Sequence, residues 1–410
     1  MKIIFIGTKN FTFFSKSLLS QYEKVIVTNM NYQVPEFISS DSKIIRINDV
    51  YDANSMTFKL DVNECIESLK EIVTHGENVK VFCNQEANLE VAEIIRQNFG
   101  VYDHMGGRVE IFRDKVLMKE TLERRNLRVP RFTALNQNTS FDEYEILVEN
   151  LSDRFIIKPS CSVGSRGVYK IFNKSDFNSF INDNPGDLTH FEAEEFINGD
   201  LYEFDTVVQN GELIYSNVSR YSCPMADLQE GTTLGSIMVG RDEEIHHRIS
   251  HFGEQCLKAL DALNGCFHME LFHSSSDELV FLEVAARSPG LMTVPAYHRW
   301  EGVNMYDLEL LVQSGRTVSI SDHPPTISFQ SRPSFFVVYP KISGTVMSIN
   351  TPETDAEVDI DWQVSPGLQV EDTTTNIDYA ARFFVTCKNA GHAQEIFEWL
   401  TKEFKAVNYA

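Results

Sequence analysis

The chain has 410 residues, 42% of them hydrophobic, and its 59 acidic against 36 basic side chains give a formal net charge of −23. Such a composition is too apolar for a disordered chain and long enough for two or three domains, while the negative field disfavours nucleic acid and anionic membranes as partners. Seven scattered cysteines without CxxC spacing read as reduced residues of a cytoplasmic protein, with neither a zinc site nor a disulfide framework, and no apolar run approaches the ~18–20 residues of a membrane span.

The first segment, Met1-Lys2-Ile3-Ile4-Phe5-Ile6-Gly7, is too short for a signal peptide and closes on a glycine turn, so it reads as a strand. Further strands are predicted at Lys24–Thr28, Lys43–Ile47 and Val79–Cys83, and Asp61–His75 places Cys65, Leu69, Ile72 and Val73 on one helical face. Strand and helix alternation over residues 1–105 implies a doubly wound parallel sheet. The turn Gly7-Thr8-Lys9-Asn10 lacks the later glycines of a dinucleotide fingerprint, which makes a Rossmann cofactor role weak. Glu86 stands at the carboxyl end of the fourth strand, where open α/β sheets bind ligands; a helix N-cap role is the bland alternative.

From about Val109 the pattern changes. Arg113-Asp114-Lys115 opens a helix predicted over Leu117–Arg125, and Phe155-Ile156-Ile157-Lys158-Pro159 runs as an apolar strand into Ser160-Cys161-Ser162-Val163-Gly164-Ser165-Arg166-Gly167-Val168. A loop of small residues lets backbone N–H groups close on phosphate oxygens, and the lysine adds a point charge. Here strand, loop, strand replaces the strand, loop, helix of a Walker A site. A hairpin is predicted from Tyr202–Val208 and Glu212–Val218 around Asn210-Gly211, then a helix over Glu243–Leu263 whose periodicity marks core only. Glu270 and Glu283 end apolar stretches and can point into one cleft, and magnesium takes hard oxygen ligands of this kind. Arg287 follows four residues later. Residues 326–410 hold strands at Phe335–Val338 and Arg382–Thr386 and a helix at Ala393–Lys402.

The Lys158 strand and loop, taken with the carboxylate pair, resemble the ATP-grasp superfamily and within it the carboxylate–amine ligases, over nearly the whole chain. The resemblance implies a fold of mixed α/β and α+β class. An N-terminal pre-ATP-grasp domain would span 1–105 and form one wall of the substrate cleft. An ATP-grasp domain would span 106–325, with its glycine-loop hairpin region at 130–200, and a small C-terminal α+β cap would span 326–410.

It also implies site roles. Lys115, Lys158, Ser165 and Gly167 would face the phosphates of ATP, with Lys119, one helical turn on, as the rival for the first role. Glu194, Glu195, Phe196 and Ile197 would form the adenine hinge, and Glu203 would reach the ribose. Glu270 and Glu283 would hold Mg2+ or Mn2+. The family pattern Glu-x-Asn-x-Arg is met here by Glu283, Ala285 and Arg287, and since alanine cannot ligate a metal, this puts the metal stoichiometry in doubt. Arg287 would stabilise the transition state.

His268 shares a strand face with Glu270 and either lines the site or packs as a structural histidine. Arg220 is a weaker cleft candidate. The chain resembles L-amino-acid ligases that make dipeptides, and Glu86 facing Asp378 would suit an amino acid with a cationic side chain. The expected partners are small molecules only, with neither nucleic acid nor membrane, and a homodimer is open to it. The rival readings are a biotin-carboxylase-like enzyme and a non-catalytic ATP-binding regulator.

Overall fold

Ile3, Ile4, Phe5 and Ile6 are fully buried, as expected of a parallel strand covered on both faces. They lie in β1 (Lys2–Ile6), which pairs in parallel with β2 (Glu23–Asn29), itself beside β3 (Ser42–Ile47). A hairpin of β4 (Asp49–Asp52) and β5 (Thr57–Leu60) follows, which the sequence reading did not anticipate. The chain then returns through β6 (Val79–Phe82) to the other side of β1. The order β3-β2-β1-β6 reverses direction between β1 and β6, so a crevice opens at their carboxyl ends. All four predicted strands are present. The helix expected over Asp61–His75 spans Val62–Leu69, because the Asp61 carboxylate accepts from the backbone N–H of Asn63 and Glu64 and starts it there. The computed structural model describes residues 1–73, 78–318 and 331–410, so His75 and the expected boundary at 325/326 lie outside the described residues.

β7 (Phe132–Ala134), β8 (Phe155–Pro159), β9 (Tyr169–Ile171) and β10 (Phe191–Glu195) form an antiparallel sheet in the order β7-β10-β8-β9. Strand alternation sets its two faces. Phe155, Ile157, Phe191 and Ala193 pack with Phe177 and Phe180 into one core, so Lys158 and its register partner Glu192 point the other way. The helix predicted over Leu117–Arg125 spans Lys115–Glu123, because the carboxylate of Asp114 accepts from the N–H groups of Val116 and Leu117.

The third sheet contains β11 (Gly199–Gln209), β12 (Glu212–Tyr221), β13 (Leu234–Met238), β14 (Gly265–Ser274), β15 (Leu279–Ala285) and β16 (Ser334–Tyr339). Next come β17 (Gly344–Ile349), β18 (Glu357–Trp362), β19 (Gln369–Val370), β20 (Ala381–Thr386) and β21 (Val407–Tyr409). Eight of these run antiparallel in the order β15-β14-β11-β12-β13-β16-β20-β18, and β19-β17-β21 form a side sheet. The C-terminal strands thus continue the sheet that carries Glu270 and Glu283. The helix Ala390–Lys402 covers that end, with Phe397 and Leu400 packed on Phe335, Val337 and Phe383. All seven cysteines are free. Among the described residues no helix is long and apolar enough to cross a membrane.

Candidate active site

Two lysines and two glutamates meet on the open face of the β7–β10 sheet. Lys158 Nζ lies 2.6 Å from Glu194, and Lys119 Nζ lies 2.7 Å from Glu192 and 2.5 Å from Glu194. Burial works against the charge of Lys158, yet Glu194 and Glu192 outweigh it and raise its pKa. Burial and the neighbouring Glu194 push Glu192 up, whereas Lys119 and Lys158 overcome burial and hold Glu194 down. Lys119 is completely buried beneath this cluster. Lys115, one turn earlier, reaches the cavity wall, where its Nζ lies 3.1 Å from Glu283 and donates to the Ser162 carbonyl at 2.9 Å. Of the two rivals, only Lys115 is at the cavity.

Glu270 and Glu283 are direct cross-strand partners on β14 and β15, with a bulge immediately after Glu270. Residues directly opposite share a face, and both line the same cavity as Lys115 and Lys158. Burial opposes ionisation of Glu283, but Lys115 and Lys158 lower its pKa. A pair of carboxylates beside lysines that can meet phosphate is a donor set that fits Mg2+ or Mn2+. Ala285 is buried opposite His268 and offers no oxygen.

Most of the remaining wall of that cavity is apolar. Ile156, Phe172, Leu201, Phe272 and Leu282 form its walls, and Glu194, Glu195, Phe196 and Ile197 run along one edge. The Glu195 carboxylate is held by Arg128 at 3.1 Å and Arg131 at 3.4 Å. Ser165 and Gly164 border the cavity from the glycine loop. Gly167 does not line it; with φ +70° it sits where a Cβ would come 2.8 Å from Met56 Sδ, so glycine is required for the loop to pass.

A second cavity opens where β1 and β6 diverge. Gly7 and Asn10 follow β1, Asn84 and Glu86 follow β6, and Arg287 and Ser288 close the far side. Gly164 borders both cavities. Glu86 accepts from Arg287 Nε at 2.9 Å and from Arg113 at 2.8 Å. Burial raises the Glu86 pKa, but Arg287 and Arg113 prevail and bring it down to about 2. The second guanidinium nitrogen of Arg113 donates to the Cys161 carbonyl at 2.6 Å and so ties this crevice to the glycine loop.

Residues 151–295 match the family model described as ATP-grasp domain. The chain thus carries an ATP-grasp domain over those residues. A curated relative, the L-arginine-specific L-amino acid ligase of Bacillus subtilis, is 20% identical over 275 residues, which cover 64% of this chain and 65% of that protein, just short of two thirds of its length. Among solved structures, the L-amino acid ligase from Bacillus licheniformis superposes with a TM-score of 0.71 at 15% identity, covering 100% of this chain and 98% of that one. The biotin carboxylase domain of Hydrogenobacter thermophilus 2-oxoglutarate carboxylase, solved with MgADP and bicarbonate, gives 0.66 at 13% identity, covering 100% and 91%. These likenesses establish the ATP-grasp fold.

Several expected ATP-grasp site residues stand elsewhere. Glu203, expected near the ribose, is fully buried past Leu201 on β11, with Ser236 Oγ donating at 2.5 Å, and lines neither cavity. β13 and the helix Thr293–Glu301 cover it. Arg220 also lines neither cavity: it pairs with Glu398 at 2.6 Å and lies over the Phe397 ring on the far helix. Asp378 turns out of the second cavity to pair with Lys341, while Ile377 and Tyr379 on either side line it. With Glu86 taken by two arginines, the expected acid pair for a cationic side chain is absent from that cavity. Its N-cap alternative fails for the same reason.

His268 is a packed histidine that touches the site through Glu270. Its Nδ1 lies 2.7 Å from Asp205 and its Nε2 3.5 Å from Glu270. Burial disfavours its charge, but Asp205 overrides this and raises its pKa to about 10. Glu203, Asp205 and His268 bring ligand atoms within 4.8 Å of one another. Hydroxyls already occupy this cluster: Tyr297 donates to Asp205 at 2.6 Å and Ser236 to Glu203, so its charges are met without an ion. Arg113, Asn84 and Arg166 were missed. The first two carry signals, one beside the Asp114 cap and the other at the end of the fourth strand.

Proposed function

We propose that this ATP-grasp protein is a carboxylate–amine ligase that joins two free L-amino acids, most simply into a dipeptide, with cleavage of ATP to ADP and phosphate. The observation that carries the reading is the convergence of Lys115, Lys158, Glu270 and Glu283 on one apolar-walled cavity. Through Gly164 it adjoins a second cavity floored by Arg287. The apolar slot suits an adenine ring at the Glu194–Ile197 edge. The lysines suit its phosphates, and the carboxylate pair suits Mg2+ or Mn2+, which would neutralise phosphate charge.

A substrate carboxylate oxygen attacks the γ-phosphorus, the bond to ADP breaks, and an acyl phosphate forms. The amine of the second amino acid then attacks the acyl carbon, phosphate leaves, and the amine proton is lost. Arg287 can pair first with the carboxylate and then with the developing oxyanion. Enclosure by the glycine loop keeps water from the acyl phosphate. The free thiols fit a cytoplasmic setting.

Similarity to the biotin carboxylase domain supports a second reading, phosphorylation of bicarbonate. Phosphate release screened over pairs of amino acids, and over bicarbonate with biotin, separates the two when product masses are read. Release that needs amino acids and yields a mass of their sum less water supports the ligase. Release with bicarbonate and biotin alone refutes it, and nucleotide binding without turnover favours a regulator.

A further inference from the structure

We propose that the second cavity is a subsite for an amino acid carrying a side-chain carboxylate, held by Arg166 and Lys9, with Asn84 gripping its backbone groups. The inference rests on the ligase reading and names the substrate class.

The first observation is the charge left over at the wall. Lys9, Arg166, Arg287 and Arg382 line the cavity against only Asp49 and Glu86. Glu86 is shared by Arg287 and Arg113. Arg382 leans on Asp361 at 3.0 Å, and Asp49 accepts from the Asn29 amide at 2.8 Å. The Arg166 side chain has only a long 3.4 Å contact to Thr57 Oγ1, and among the described residues no ion pair to a carboxylate is formed by it or by Lys9. In a chain of net charge −23, two unmatched cations at one crevice are a local reversal of sign. Clefts concentrate such a field, and a guanidinium meets a carboxylate with two parallel bonds.

The second observation is independent of charge. Asn84 is 5% exposed and lines the cavity, yet neither its side-chain oxygen nor its nitrogen has a partner. The Thr28 hydroxyl, lining the same cavity, is also buried and unpartnered. A buried amide left unpaired carries a desolvation penalty that nothing offsets, and a ligand offering both a donor and an acceptor removes it. The ammonium and carboxylate of an amino acid supply both. The relative from Bacillus subtilis is named as specific for L-arginine; the unmatched charges here favour the opposite side chain.

Calorimetry on the full chain with saturating ADP and magnesium tests this with L-glutamate, L-lysine and L-methionine as probes. Glutamate is expected to bind at least tenfold more tightly than lysine. Arg166→Ala and Lys9→Ala should each shrink that ratio severalfold, and Asn84→Ala should weaken all probes alike. Lysine binding as tightly as glutamate, no binding of any probe, or a ratio that survives both cation substitutions would overturn the proposal. So would Arg166→Ala lowering ADP affinity alone, which would give this arginine to the nucleotide. Phosphate release is measured in parallel. Glutamate preference without turnover sinks the ligase reading and leaves the subsite, whereas turnover with a lysine preference does the reverse.

Discussion

Arg287 and Glu86, 201 residues apart in the chain, meet in a two-pronged ion pair with contacts of 2.9 and 2.8 Å. A carboxylate from the first sheet therefore holds in place the guanidinium proposed to act on the acyl group. A substrate carboxylate arriving there must share or displace Glu86, so Arg287 is aligned before substrate binds.

Replacing Arg287 with methionine should reduce turnover by about a hundredfold or more, the usual cost of losing an oxyanion donor. ATP affinity should change by less than about threefold, because the contact strengthens only in the transition state. Single-turnover rates set against nucleotide calorimetry decide it; equal losses in both would make Arg287 a binding residue.

Acid should weaken the fold through Glu86. Its pKa is lowered from 4.5 to about 2, so in that interval the unfolded chain binds more protons than the folded one. The stabilisation is fully present above pH 4.5 and is lost as pH falls toward 2; it amounts to about 3 kcal/mol. Urea midpoints from pH 6 to 3.5 should fall more steeply for the unaltered chain than for Glu86→Gln. Parallel curves would show that this carboxylate is not linked to stability.

Lys115 and Lys119 should separate cleanly. Lys119→Met leaves Glu192 and Glu194 with Lys158 as their one cation, and breaking a buried pair costs about 3–5 kcal/mol. Its melting temperature should drop by several degrees or more. Lys115→Ala should cost less stability than Lys119→Met, since its partner Glu283 keeps a third of its side chain exposed and has Lys158 beside it, but weaken ATP binding about tenfold. Melting curves and nucleotide titrations that reverse this order would exchange the two roles.

Glu283→Gln should lower phosphate release by about a hundredfold or more, because a neutral amide ligates a hard cation poorly. Mn2+ binding in the presence of ADP, followed by electron paramagnetic resonance, should weaken with it. Unchanged Mn2+ affinity would move the metal elsewhere.

The strands and the carboxylate pair are legible in the sequence because period and apolar runs are local. β1, β2, β3 and β6 each announce themselves, and so do the two stretches that end in Glu270 and Glu283. Helix ends shift by a few residues where a cap decides them, as Asp61 and Asp114 do. Side-chain partners are not legible. Glu86 reads as a free acid until Arg113 and Arg287 arrive from distant segments, and Asp378 reads as a cleft acid until Lys341 turns it away. Glu203 looks exposed to a ligand because its strand passes the cavity, yet β13 and the helix Thr293–Glu301 close over it.

The unbroken sheet from β15 to β18 bears on modularity. β13 hands its hydrogen bonds directly to β16, with Leu234 opposite Val338 and Ser236 opposite Phe336. A chain cut before Ser334 would leave that edge bare in the middle of an apolar surface, an invitation to pair with other chains. Residues 334–410 are therefore no detachable specificity cassette: exchanging them between relatives would have to preserve strand register at β13, a demand that reaches the carboxylate strands through the same ladder.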